Sequence, residues 1–406
     1  MKVQYCQRCV YPSSSAVRLE IDANGVCTGC RVAEDRPVID WESRWQMFKD
    51  LTKEYSSQGN YDLIIPVSGG KDSYYQTHLA VKELGLKPLL VTYHGNNYLP
   101  EGEYNLHRMR DVFDCDHIIF RPSVDSLIKM NRLGFRVQGD MNWHAHCGIA
   151  TVPFQVAVRY KVPLVMWGEI GWIDLGGMFT LHDFPEFTFK NRVEHDLRGF
   201  DWHDFTDEGL EKMGRPEWKE GLTAKDLMWG RYPSDDEVDA VGLRGIYMDC
   251  YVPWDGNHNA EIARKHYGWK GSDQEFERTY RRFSNLDDMH ENGIHDYLKF
   301  IKFGYGRCSD HATKDIRTGR ITRDQGIELV ARYDHVKPRK DLERWLDYVG
   351  MTEREFDITC DSFRDPRVWW IEDGQWWKDN IWGQPSSYGS VHLPREKWAA
   401  YSRKSA

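Results

Sequence analysis

The sequence predicts an α/β protein: a parallel sheet flanked by helices, preceded by an N-terminal four-cysteine ribbon and followed by a helical C-terminal region. Three observations predict it. Leu63, Ile64, Ile65 and Val67 form a short apolar run that passes directly into Ser68-Gly69-Gly70-Lys71-Asp72-Ser73 and then into a helical pattern, the order of a buried strand, a tight turn and a helix. Further apolar runs alternate with helical patterns up to residue 167, which implies parallel pairing with right-handed crossovers. Cys6-x-x-Cys9 and Cys27-x-x-Cys30 stand 17 residues apart near the N-terminus, the spacing of paired metal-binding knuckles.

The composition bounds what such a chain does. Its 406 residues suffice for two or three domains, read as a ribbon at 1–36, the α/β domain at 37–310 with an insertion at about 174–240, and a helical region at 311–406. With 63 acidic and 54 basic side chains the net charge is −9, which disfavours broad contact with a phosphate backbone, so no nucleic-acid partner is expected. The sequence contains no apolar run of membrane-spanning length and no signal-peptide pattern, so a cytoplasmic protein is the expectation. The nine cysteines suit a reducing compartment. The 17 tryptophans and 21 tyrosines are first of all core and interface anchors, and they also suit flat ligands.

In chain order, the cysteine pairs come first. Thirty residues bury little core, so metal binding supplies the folding energy there, and four thiolates leave no open position for catalysis. A structural Zn2+ held by Cys6, Cys9, Cys27 and Cys30 is expected, with an iron–sulfur cluster or a redox pair as the alternatives. An amphipathic helix follows at Trp41–Tyr55. At the glycine turn, backbone N–H groups and the helix dipole favour an anion. Lys71 adds a point charge, and the hydroxyls of Ser68 and Ser73 add donors. Ile65 stands where a Walker A loop has its first glycine, so this is a different phosphate loop. The helix from Ser73 ends at Gly85. A second strand spans 87–93, a helix 103–113, a third strand 117–120, a helical pattern 147–160 and a fourth strand 162–167. Ligands of such sheets sit at the carboxyl ends of the strands, which gathers the loops at 68–73, 93–97 and 167–171. Tyr93, Gly168 and Glu169 therefore join the candidate nucleotide contacts, Glu169 as a Mg2+ or ribose contact or as a solvated carboxylate.

Three later stretches carry candidate chemistry. Met141 to Gly148 holds His144, His146 and Cys147, which suit a metal, a sulfur carrier or plain local hydrogen bonding; the segment is expected to line the acceptor pocket. Residues 174–237, aromatic and charged with poor periodicity, read as a lid or a subunit contact. Asp249 to Gly256 ends another strand-like run and precedes a helix at 258–267. Lys302 and Arg307 flank Gly304-Tyr305-Gly306, a composition suited to phosphate or carboxylate recognition. Thr322-x-x-Gln325 and Thr352-x-x-Glu355 are capping boxes opening two helices. Trp369, Trp370, Trp376, Trp377 and Trp382 crowd the tail, as packing or as a subunit contact.

Ser68-Gly69-Gly70-Lys71-Asp72-Ser73 after an apolar strand resembles the PP-loop of the ATP pyrophosphatases, the adenine-nucleotide α-hydrolase-like fold. That loop grips the β,γ-pyrophosphate while ATP is cleaved to AMP, leaving an adenylylated substrate. Together with Y-C-Q-R-C-V-Y-P, G-V-C-T-G-C, Y-V-P-W-D-G, K-F-G-Y-G-R and I-T-R-D-Q-G-I-E-L, which span Tyr5 to Leu329, it resembles the N-acetyl sugar amidotransferases of bacterial surface-glycan and lipopolysaccharide O-antigen biosynthesis. The resemblance implies conversion of an acetamido group on a nucleotide-activated sugar to an acetamidino group, with ATP, Mg2+ and Zn2+. It assigns Gly69, Gly70, Lys71 and Ser73 to the pyrophosphate, Asp72 to Mg2+, and Lys302 and Arg307 to the anionic sugar nucleotide or the polyphosphate. It also implies a separate glutaminase with a cyclase-like subunit as ammonia source, because the chain shows no cysteine in a nucleophile turn. The alternatives are a tRNA-thiolating enzyme with Cys147 as sulfur carrier, and a scaffold that binds nucleotide without turnover.

Overall fold

The computed structural model describes residues 3–56, 59–284 and 289–402. The second cysteine knuckle opens α1 (Thr28–Asp35), and Asp40 caps α2 (Trp41–Tyr55) through the Ser43 N–H. The apolar run becomes β1 (Leu63–Pro66), buried at every position. The glycine turn leads into α3 (Lys71–His78), prolonged by a π-type turn over Leu79–Glu83 and stopped at Gly85, where φ is +67°. There follow β2 (Pro88–Tyr93), α4 (Pro100–Phe113), β3 (His117–Phe120), α5 (Val124–Gln138), α6 (Trp143–Ile149), α7 (Val152–Tyr160) and β4 (Leu164–Trp167). Three short helices, α8 (Phe189–Asn191), α9 (Asp207–Lys212) and α10 (Asp235–Val241), precede β5 (Arg244–Tyr247) and α11 (Gly256–Tyr267).

All five strands are parallel, in the order β3-β2-β1-β4-β5. The chain winds outward from β1 to β3, then returns to the other side of β1 with β4. The reversal opens a crevice at the carboxyl ends of β1 and β4, where an open α/β sheet receives its ligand. The sheet core runs from Leu63, Ile64 and Ile65 across Leu90, Val165 and Ile246 to the flanking helices.

The C-terminal region is helical as expected: α12 (Met289–Phe303), α13 (Arg307–Arg317), α14 (Arg323–Tyr333), α15 (Arg339–Val349) and α16 (Glu353–Ser362). Both expected capping boxes form, at Thr322/Gln325 and Thr352/Glu355. Trp345, Phe356, Ile294 and Leu298 pack against Phe135 of α5 in a second core.

Several elements depart from the sequence reading. α5 is a helix that the reading names nowhere, N-capped by Ser123. The helical pattern at 147–160 is two helices, because Pro153 cannot donate and the chain turns at Ala150–Thr151. The segment at 174–240 buries Leu181, Phe187, Leu197, Phe205 and Leu222 in the core of the sheet itself, so it is a flank of the sheet, with only Asp174 and Leu175 of it reaching the main cavity. The tryptophan tail forms an antiparallel sheet, β6 (Trp369–Glu372), β7 (Gln375–Lys378) and β8 (Ser386–Ser390). Asp373 and Gly374, both at positive φ, make its first hairpin turn. Among the described residues, no helix is long and apolar enough to cross a membrane.

Candidate functional site

The glycine loop is held open by its own side chains. The Ser68 N–H donates to the Ser73 hydroxyl (3.0 Å), the Gly70 N–H donates to the Ser68 hydroxyl (3.3 Å), and the Trp269 indole donates to the Gly69 carbonyl (2.9 Å). Gly69 has φ +80°, and a Cβ there would lie 2.6 Å from the backbone nitrogen of Leu106, so only glycine fits. Gly70 caps α3 without a side chain, which leaves the first N–H groups of the helix to face an anion. Lys71 Nζ reaches Asp72 (2.6 Å), whose other oxygen accepts from Asn259 (2.7 Å).

Two cavities meet at this loop. One, of about 220 Å3, is largely apolar, with Val67, Val91, Tyr93, Tyr98, Trp167 and Gly168 among its walls. The other, of about 300 Å3, carries seven cations, Arg36, Lys71, Arg281, Arg307, Lys314, Arg317 and Arg320, against the carboxylates of Asp72, Glu169, Asp174, Asp255 and Asp310. Ser68, Asp72, Ser73 and Glu169 line both. The arrangement suits a molecule with a flat apolar end and a polyanionic middle, cradled at the loop. Burial pushes the Asp174 carboxyl up, but Lys314 and Arg36 outweigh it and hold the group well below the usual range. Asp249, pushed up to about 7 by burial, accepts from the Ile170 N–H (2.8 Å) and so fixes the loop that carries Glu169.

The structure brings together Ser68, Gly70, Lys71, Asp72, Ser73, Glu169 and Arg307 around the cationic cavity, and Tyr93 and Gly168 around the apolar one. Lys302 departs from expectation. α12 ends at Phe303, Gly304 reverses the chain at φ +76°, and α13 begins at Arg307. Lys302 therefore turns away, its Nζ toward the Gln138 carbonyl (3.4 Å), where burial pushes its ammonium down to about 8. The reading also missed most of the cation wall. Arg307, Asp310, His311, Lys314 and Arg317 recur along one face of α13 and line the cavity, a spacing of three and four that was there to be read.

The segment at 141–148 lines neither cavity. His144 is fully buried between the Tyr93 hydroxyl (3.1 Å) and Asn131 (3.2 Å). Cys147 is fully buried, its thiol pushed up to about 12 by burial, a poor sulfur carrier. Asp140, His146 and His295 cluster as metal ligands do. Asp140 already receives His295 (2.7 Å), the Asn142 N–H (3.1 Å) and the Arg198 guanidinium (3.2 Å), so both of its oxygens are engaged without a metal.

The four ribbon cysteines fit a metal. The sulfur pairs Cys6–Cys30 and Cys9–Cys27 stand 3.9 and 3.7 Å apart, far beyond a disulfide and close to the edge of about 3.8 Å of a tetrahedron with Zn–S bonds of about 2.3 Å. N–H groups of Arg8, Cys27 and Cys30 donate to these sulfurs, as thiolates require. The ribbon also braces the wall of the cationic cavity from behind. Arg317 donates to Cys27 Sγ (3.4 Å), Tyr11 donates to Asp310, and Arg323 donates to the carbonyls of Cys6 and Cys9.

Residues 277–381 match the C-terminal domain of WbpG-like LPS biosynthesis proteins. That segment supplies Arg281, Arg307, Lys314, Arg317 and Arg320, five of the seven cations of the wall. No curated protein matches the chain. Among solved structures it is similar to the NH3-dependent NAD synthetase from Campylobacter jejuni subsp. jejuni NCTC 11168 in complex with the nitrate ion, at 14% identity and TM-score 0.28, over 50% of this chain and 94% of that one. It is also similar to NMN synthetase from Francisella tularensis, at 15% identity and TM-score 0.28, over 58% and 99%. The fold stands on its own strand order.

Proposed function

We propose that this chain is an ATP-dependent amidotransferase, forming AMP and pyrophosphate, that converts the acetamido group of a nucleotide-activated sugar to an acetamidino group. One observation carries the reading: a PP-loop-like glycine turn is shared by an apolar cavity and a cation-walled one, and the LPS-biosynthesis segment builds most of the cation wall. An amide oxygen is a poor leaving group, so it is first joined to the α-phosphorus of ATP with loss of pyrophosphate. Ammonia then displaces AMP.

The reading assigns the following roles. The adenine lies in the apolar cavity beside Tyr93 and Gly168. Ser68, Gly69, Gly70, Lys71 and Ser73 hold the pyrophosphate, and the preorganised donors stabilise charge as it develops on the departing oxygens. Asp72 and Glu169, two carboxylates shared by both cavities, are the hard oxygen donors that suit Mg2+, which when bound neutralises phosphate charge. Arg307 and the other cations of the wall bind the diphosphate of the sugar nucleotide. ATP and a nucleotide sugar are cytoplasmic substrates, and the chain is read as working there without nucleic acid.

Ammonia comes from a separate glutaminase. Cys115, Cys147, Cys250, Cys308 and Cys360 are all buried, and burial pushes every one of these thiols up, the reverse of an activated nucleophile. The test is pyrophosphate release from Mg-ATP with ammonium, supplied with either a nucleoside diphosphate N-acetyl sugar or tRNA. Release that needs the sugar supports the reading. Release that needs tRNA, or nucleotide binding with no release, overturns it in favour of thiolation or of a scaffold.

A further inference from the structure

Amidination ends with a proton to remove, and one residue of the cationic cavity is built to take it. His311 lies in the second turn of α13, is 7% exposed, and lines the cavity. Its Nδ1 is 2.6 Å from the Thr279 hydroxyl, and its Nε2 is 3.4 Å from Ser284, another lining residue. With Nδ1–H donating to Thr279, the Nε2 lone pair is the accepting one, held only by the longer contact to the Ser284 hydroxyl. We propose that His311 is the catalytic base of the amidination step, accepting the proton of the ammonia nitrogen as it bonds to the activated acetamido carbon. The proposal rests on the amidotransferase reading above.

Elimination supports it. Among the described residues, each carboxylate lining the cavity is committed to a cation: Asp72 to Lys71 (2.6 Å), Glu169 to Lys314 (3.0 Å), Asp174 to Lys314 (2.7 Å), Asp255 to Arg320 (2.7 Å) and Asp310 to Lys299 (2.6 Å). Paired carboxylates are weak bases. The remaining charged lining residues are lysines and arginines, so among the described lining residues His311 is the neutral base at hand.

Its surroundings keep it neutral. Burial and then Arg281, Arg307, Lys314 and Lys71 hold the imidazole well below its ordinary value, and hence neutral. Arg281 also reaches the His311 carbonyl (3.5 Å), and the Tyr280 ring packs nearly perpendicular to the imidazole, with centroids 6.4 Å apart. Asp310 and Asp315 on the same helix are spent on Lys299 and Arg281. Polyphosphate entering the cavity offsets the repulsion from those cations, the lesser cause, while burial keeps the imidazole neutral and so able to accept a proton.

The step balances. Ammonia forms the new C–N bond to the adenylylated acetamido carbon, and Nε2 takes one proton from the resulting ammonium. The C–O bond breaks with its electron pair going to AMP, and an amidinium remains. The imidazolium then releases its proton to solvent.

The experiment separates the two half-reactions in His311→Asn and His311→Gln. Sugar-dependent exchange of labelled pyrophosphate into ATP, without ammonium, reports adenylylation; amidine formation with ammonium reports the second step. Exchange should fall less than tenfold while amidination falls about 100-fold or more, the usual scale for a general base. At constant free-ammonia concentration, the acid limb of the amidination rate against pH should vanish in both variants, and added imidazole should restore part of the rate to His311→Ala. Equal losses in exchange and amidination, or an unchanged acid limb, would overturn the proposal while leaving the amidotransferase reading intact. Absence of exchange in the wild type would sink both.

Discussion

Two adjacent glycines of the phosphate loop should respond oppositely to alanine. Gly69 sits at φ +80°, and its Cβ would meet the backbone N and Cα of Leu106 at 2.6 and 2.7 Å, where ordinary contact begins at 3.4 Å. These are backbone atoms of α4, and the Leu106 side chain is fully buried, so the neighbour cannot yield by turning a side chain. A left-handed conformation alone costs a non-glycine residue about 1–3 kcal/mol, and with the clash Gly69→Ala should lose on the order of 3 kcal/mol. Gly70 has φ −69°, and its Cβ would meet only the Ser68 hydroxyl, at 3.3 Å. Gly70→Ala should therefore change stability by less than about 0.5 kcal/mol, as substitutions without a named strain do. Because Gly70 lines the cationic cavity, its methyl should raise the KM for ATP instead. Urea denaturation of both variants, followed by tryptophan fluorescence, measures the difference. Equal midpoints, or Gly70→Ala the less stable of the two, would refute the loop geometry.

Three further outcomes are expected. Lys71→Ala should lower kcat/KM for pyrophosphate release about a hundredfold, the low end for one lost oxyanion donor, because Arg281, Arg307 and Lys314 remain nearby. The fold should survive, since Asp72 keeps Asn259 (2.7 Å); near-normal release would remove this loop from the chemistry. One zinc per chain should be found by metal analysis and should fall to near zero in the double variant Cys27→Ser, Cys30→Ser, whereas a brown protein bleached by oxidation would mean an iron–sulfur cluster. The contribution of His144 to stability should be lost in acid. Burial holds His144 at about 4 in the folded chain against 6.5 unfolded, so its contribution is present above pH 6.5 and is lost as the pH falls toward 4, by up to about 3 kcal/mol. Asp249, raised to about 7, works in the opposite sense, losing stability as the pH rises through the same window. The difference between wild type and His144→Asn in urea midpoints at pH 7 and pH 4.5 isolates the histidine, and a difference independent of pH would contradict its burial.

Much of the fold was legible because its signals are local. The strand at 63–67 is apolar at successive positions, as a strand covered on both faces must be, and the capping boxes at 322 and 352 are fixed by spacing alone. The hairpin at 373–374 was equally local, an Asp-Gly pair between aromatic runs, but the density of tryptophan invited an account by packing instead. α5 went unread although Ser123 caps it. The site divides in the same way. Its glycine loop is contiguous in sequence, whereas the cation wall draws Arg36, Arg281 and Arg320 from three separate segments, and only tertiary structure brings those together. Lys302 and Arg307 look alike five residues apart; the reversal at Gly304 sends one into the cavity and the other away from it.

The central claim is that nitrogen from ammonia replaces the acetamido oxygen at the expense of ATP. Mass spectrometry of a nucleoside diphosphate N-acetyl sugar, incubated with the purified chain, Mg-ATP and 15N-ammonium, tests it directly. The account predicts one 15N atom in the sugar, in step with AMP and pyrophosphate, and no such product when glutamine alone supplies nitrogen. Pyrophosphate released without nitrogen entering the sugar, or robust amidination by the single chain from glutamine, would contradict it.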